Sequence, residues 1–459
     1  MRPSLSLLSC LAVLGLAAGA RAHGGRPQTQ AIHFAADDRQ RLVVRATFGL
    51  LESDDGGATW AWTCQESIPS AVAGATAPGV LAAGGLLVLG GNDGLVQGLR
   101  STCGWAREPT SASHYVADVV RSPDGRLLAL TGDSGATNRL LESEDEGRSW
   151  RAVGTALPLR FLTERLRAAP SAAGVLYVSG QTYVEGTTMV EGAVLRSVDG
   201  GAHWTAQPVP LESMERLVRL VAVAPDDADD LWLLVQGPAF DRLLRSRDAG
   251  ASWAEVTRLV ADPLPQLRPF AWAQGPDGTT WFGNPRAGLS ALRPDGVLVL
   301  VDKFVAAACL VPYGRTMWMC ADGLEDGFAL ATFDAMEPYA PQARLRFEQV
   351  TRRPCEGFVE CTCELFWDDF LREVGRGAEV PDGGAPSPCV IDGGSGPVDA
   401  GATSDGGVDG GMRAEVGPDP AGPPRPATCA CAVGQGAGAC SLGAWFGGLC
   451  VGLACWRRR

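Results

Sequence analysis

Lysine is almost missing from this chain. Of 39 basic residues only Lys303 is a lysine, and 52 acidic residues leave a formal net charge of −13. That balance excludes non-specific nucleic-acid binding, which runs on positive charge matched to phosphates. The arginine bias itself reads as the mark of a GC-rich genome. Histidine is scarce too, at His23, His33, His114 and His203, which argues against a histidine-based metal site or catalytic triad. There is no phosphate-binding glycine loop, no H-E-x-x-H and no G-x-S-x-G nucleophile elbow. The apolar run over residues 5–18 is too short for a comfortable membrane span.

What is present starts with an export signal over residues 1–22. Arg2 supplies the positive start, residues 5–18 the apolar core, and Ala20, Arg21 and Ala22 a small-x-small cleavage site before His23. Cys10 sits too early for a lipoprotein box, and His23, Gly24 and Gly25 read as a flexible polar start rather than a copper site. Composition is 46% apolar, enough to bury a real core. Eight cysteines lie between Cys64 and Cys389, and an even count in an oxidising compartment favours disulfides.

Four segments then align without gaps on the pattern S-x-D-x-G-x-[T/S/H]-W. They carry Ser53, Asp55, Gly57 and Trp60; Ser143, Asp145, Gly147 and Trp150; Ser197, Asp199, Gly201 and Trp204; and Ser246, Asp248, Gly250 and Trp253. Ser and Asp can hydrogen-bond nearby backbone N–H groups and close a tight turn. Gly tolerates the positive φ that such turns need, and Trp opens the next strand with a large apolar anchor. A structural role therefore accounts for every fixed position, His203 at the Thr/Ser place included. Trp60, Trp105, Trp150, Trp204 and Trp253 recur every 45 to 54 residues. Eroded copies follow near Leu292 and Leu330. Ahead of these turns come pairs of short apolar strands, so each unit holds four strands. The expected fold is an all-β propeller over residues 28–350, with seven four-stranded blades and six or eight as alternatives.

These segments resemble the Asp-box (BNR) repeat of sialidases, sortilin-type receptors and related propellers. Sialidases use an arginine triad, a Tyr–Glu nucleophile pair and a Phe-Arg-Ile-Pro-like motif. Here that last motif is absent, the nearest string being Gly25, Arg26 and Pro27, and tyrosines number only five.

If Gly314 and Arg315 form a two-residue hairpin loop, Cys309 and Cys320 fall opposite each other within disulfide reach. Cys64 follows the first turn and Cys103 lies within the eroded second, so a bond between them would staple adjacent blades. Cys355, Cys361, Cys363 and Cys389 make up the remaining pairs. Zinc is not expected there, because the C-x2-C spacing and a nearby histidine are both missing. Within a Cys-rich closing appendage over residues 351–380, Phe366, Phe370 and Val374 mark a short amphipathic helix over residues 364–374. Residues 381–428 turn to Gly, Pro, Asp and Ala and read as a disordered linker.

Residues 429–459 combine Cys429 and Cys431, a weakly apolar stretch and Arg457, Arg458 and Arg459. They closely resemble the MYXO-CTERM sorting tail of exported myxobacterial proteins. That resemblance implies processing and lipid attachment at Cys429 or Cys431, with membrane contact through the tail and handling by export and sorting machinery. Either the hydrophobic end is then removed or it stays as a single-span anchor. The whole reads as a monomeric cell-surface protein.

The sequence points to a binding or scaffold module for a glycan or protein ligand, with no catalytic residue, cofactor or metal ligand to name. A sialidase-like or glucan-cleaving glycoside hydrolase is the alternative. Its acid pair would come from carboxylates such as Asp118, Glu164, Asp226 and Asp241, each of which reads first as a solvated loop residue.

Overall fold

The computed structural model describes residues 27–377, apart from 70–77, 100–102, 185, 187–188, 261–269 and 356–357. The export signal, Cys389, the linker and the tail with Cys429 and Cys431 lie outside the described residues.

Seven antiparallel meanders of four strands make up the described fold, one of them carrying a fifth strand. The innermost strands are Thr29–Phe34, Gly79–Leu81, Val116–Arg121, Leu162–Ala168, Leu217–Val223, Ala271–Gln274 and Cys309–Tyr313. The chain is thus a seven-bladed propeller. Every blade buries both faces against its neighbours, so period-two alternation sends successive residues to opposite sides. Leu127 and Ala129 join the core between blades 2 and 3, whereas Leu128 and Leu130 join the one between blades 3 and 4. One apolar cluster fills each of the seven gaps.

The four S-x-D-x-G turns connect the third and fourth strands of blades 1, 3, 4 and 5. In each, the Ser hydroxyl accepts the Gly N–H at 2.8–2.9 Å and donates to the Asp at 2.7–2.8 Å. Asp then accepts the N–H four residues on, and its second oxygen takes the Thr59, Ser149 or Ser252 hydroxyl at 2.6 Å. At the third turn His203 Nδ1 sits 2.7 Å from Asp199 in the hydroxyl's place. The glycines have φ between +86° and +96°. A Cβ at Gly57 would meet the Trp318 ring of blade 7, and one at Gly147 would meet Val88 of blade 2. Each turn therefore also presses on the preceding blade.

Ring closure uses no strand exchange. The four meander strands of blade 1 come from residues 29–64 and those of blade 7 from residues 309–345. Strand Val350–Arg352 lies parallel to the outer strand Trp60–Cys64 of blade 1, and helix Phe358–Glu373 follows. The helix stacks Phe370 on Trp62 at 4.9 Å and sets it against Phe48 at 5.2 Å. It begins six residues ahead of the expected start at 364. Val359 and Cys363 extend its buried stripe once a disulfide cysteine counts as apolar.

Cys309 and Cys320 are register partners and form a disulfide. The Cys64–Cys103 bond is not formed. Instead Cys64 pairs with Cys363 and Cys103 with Cys355, because the closing strand carries the C-terminal segment back across blades 1 and 2. Cys361 is disulfide-bonded as well. Such bonds form and persist in oxidising compartments and mark an exported protein. No helix among the described residues is long and apolar enough to cross a membrane.

Candidate functional site

An inner strand offers one free edge of N–H and C=O groups to the ring axis, and those groups need partners. Side chains reaching across blade boundaries supply several of them. Ser179 Oγ accepts Leu220 N at 2.8 Å, and Gln181 Oε1 accepts Val218 N at 3.2 Å. Asp118 does most: it accepts Val119 N and Leu166 N at 3.0 Å each and Arg167 Nη1 at 2.8 Å. Arg167 Nε continues to Val221 O at 2.9 Å, so these two side chains tie blades 3, 4 and 5 together.

Around the axis remains a channel of about 750 Å³, lined by the inner strands of all seven blades. Several of those strands are bulged, with register shifts between Thr29 and Ala31, Thr163 and Arg165, and Leu220 and Ala222. A bulge breaks the alternation and re-aims a side chain. Gln30, Glu164 and Val221, the extra residues, all line the channel, and Glu164 and Arg165 do so as consecutive residues.

The wall formed by blades 3 to 5 is charged: Arg165, Arg167 and Arg219 face the channel with Asp118 and Glu164. Burial lowers the Arg219 pKa to about 10, and Arg165 beside it adds to the effect. Burial also lowers that of Arg167, against the pull of Asp118. Glu164 is pushed up by burial, which Arg219 and Arg165 oppose. On the opposite wall, burial first and then the nearby Arg45 bring His33 down to about 4, so its ring is neutral at pH 7. Gln30 Oε1 and His33 Nε2 are buried there without a hydrogen-bond partner among the described residues.

Two of the four carboxylates considered from sequence, Asp118 and Glu164, meet in this channel. Asp226 is exposed in the turn after the first strand of blade 5, and Asp241 is buried within that blade. The channel arginines were not singled out from sequence. Two of them, Arg165 and Arg167, lie within three residues of Glu164, which the sequence reads as a loop residue, so nothing there marks them. Among the described residues no group of three or more His, Cys, Asp or Glu is placed to hold a metal ion.

No protein-family model matches the chain. No curated protein matches it either. Among solved structures it is similar to the extracellular domain of a one-component system from B. thetaiotaomicron, at 13% identity and a TM-score of 0.45, over 67% of this chain and 38% of that one. An ancestral GH74 enzyme matches at 14% identity and TM-score 0.48, over 71% and 47%. A puromycin hydrolase matches at 18% and 0.48, over 71% and 54%. The chain thus spans between about two fifths and just over half of the length of these structures.

Proposed function

We propose that this chain is an exported, surface-displayed binding module of the Asp-box propeller type, and that its central channel takes the acid group of a glycan or protein ligand. The carrying observation is charge: three guanidinium groups face two carboxylates inside the channel of a protein whose net charge is −13. An anion entering there meets cations whose crowding it relieves, in a setting of low dielectric. The sorting tail, with Cys429 or Cys431 as its lipidation site, would display the ring at the cell surface through the linker.

The glycoside hydrolase alternative has Asp118 and Glu164 in the right channel. Asp118, however, spends both oxygens on backbone N–H groups and Arg167, which makes it a brace between blades rather than a base. Binding is the better reading. Titrating the purified protein with glucuronate and with N-acetylglutamate, followed by calorimetry, tests it. Saturable binding is expected, weakened at least about tenfold by Arg219→Gln and by added salt. An absence of saturable binding to either acid sinks the reading.

A further inference from the structure

In a four-strand meander the turn between strands two and three lies at the same end as the connections from one blade to the next. That end, here called the upper face, carries most of the exposed large apolar side chains of blades 4 and 5. Leu159 and Met214 sit in the connections entering those two blades. Met189 and Phe240 lie at their second turns, and Val260 ends the outer strand of blade 5 as the register partner of Phe240. Met189 is 69% and Met214 63% exposed. On blade 1 the same face is covered, since the helix Phe358–Glu373 packs over Phe48 and Trp62.

Met214 is held out rather than left loose. Its turn is pinned by Glu215, which accepts Glu212 N at 2.6 Å and two bonds from Arg242 at 2.6 Å. Arg258 grips Glu212 from the outer strand at 2.6 Å. Met214 itself has φ +72°, a left-handed backbone that favours glycine. A large apolar side chain both solvated and on unfavourable backbone is costly unless something covers it.

Chain geometry links this surface to the channel. Leu159 lies six residues before Arg165, and Met214 five before Arg219, along the same two chain segments. At about 3.3 Å per residue, each apolar side chain is within about 20 Å of its arginine. A ligand of about six extended residues reaches both. Phe240 and Tyr183 add two exposed aromatic rings at this end. Most of the patch is aliphatic, however, and Leu, Met and Val offer nothing to sugar hydroxyls while burying well against other apolar side chains.

We infer that the upper face of blades 4 and 5 docks a polypeptide segment in which large apolar side chains flank an Asp or Glu that enters the channel toward Arg165 and Arg219. The inference rests on the channel reading above and narrows its ligand from glycan or protein to protein.

The test is selection of random 12-residue peptides, displayed on phage, against the purified protein. Recovered peptides should carry an acidic residue with Leu, Ile, Phe or Met within three positions on either side. They should bind the Met214→Asn, Phe240→Ser double variant at least tenfold more weakly, at unchanged melting temperature. Val198→Ser, in the third S-x-D-x-G turn on the opposite face, should change nothing. Peptides without that pattern, or insensitive to the double variant, overturn the inference. If glucuronate still binds in an Arg219-dependent way while no peptide is recovered, the channel reading survives and this one falls. If neither binds, both fall.

Discussion

At the scale of single residues, the four aspartates of the S-x-D-x-G turns are tuned by the bonds that shape the turn. Asp55 is brought down to about 2 by the Thr59 hydroxyl and N–H. At Asp145 burial is the largest single influence and acts upward, but the Ser149 hydroxyl and N–H, the Ser143 hydroxyl and the Arg148 N–H together outweigh it and bring the carboxyl down to about 2. Asp199 and Asp248 are lowered too, first by the His203 N–H and by the Ser252 hydroxyl respectively. Their folded-state values lie below the unfolded one near 4, so the unfolded chain takes up protons first as pH falls. The contribution is whole above about pH 4 and is lost as pH falls through about 2. The urea midpoint should therefore drop between about pH 4.5 and about pH 2.5. In an Asp55→Asn, Asp145→Asn double variant that drop should shrink, and an unchanged drop would show that the turn carboxylates do not set the acid limit. These residues were legible in sequence because each role is local, complete within eight positions. Arg165 and Arg219 were not legible, since an arginine on a short strand in an arginine-rich chain carries no mark of the channel it faces.

At the scale of elements, the closing segment matters most. Its two disulfides are nested: the Cys103–Cys355 loop, with a separation of 252, lies inside the Cys64–Cys363 loop, with a separation of 299. While either bond holds, the other closes only a short extra loop, worth about 4 kcal/mol by loop entropy. Once both are gone, the last to leave had closed a loop of hundreds of residues, worth nearer about 5–6 kcal/mol. Replacing Cys355 and Cys363 together by Ser should then cost about 1–2 kcal/mol more than the two single replacements added. Additive losses in urea unfolding would mean that the bonds act through local packing instead. Sequence gave the hairpin bond Cys309–Cys320, whose partners are fixed by one turn. It could not give the long-range pairs, which depend on the strand Val350–Arg352 choosing the outer edge of blade 1. The helix was visible from Phe366, Phe370 and Val374, but its first two turns were hidden behind cysteines whose partners were unknown.

At the scale of the whole molecule, a ring has seven interfaces and six are continued by the chain itself. The seam between blades 7 and 1 is the exception. It keeps Thr29 Oγ1 donating to Ala329 O, Gln28 Nε2 on Asp322 at 2.9 Å, and Trp60 Nε1 on Arg344 O at 3.1 Å. Its apolar cluster is completed by Val359, Cys363, Phe370, Leu371 and Val374 of the helix. Ending the chain at Gln349 removes the closing strand, the helix and both long-range disulfides at once, leaving those few bonds to hold the seam. Local stability then ought to fall where the cluster is opened and not elsewhere. By hydrogen exchange, Leu42–Ala46 of blade 1 and Leu330–Asp334 of blade 7 should lose protection first. Leu176–Tyr183 and Leu231–Gln236, in blades braced by Asp118 and Arg167, should keep theirs. Equal loss in all seven blades would mean instead that the ring opens only as a unit. In that case the clasp sets the stability of the channel wall as well as that of the seam.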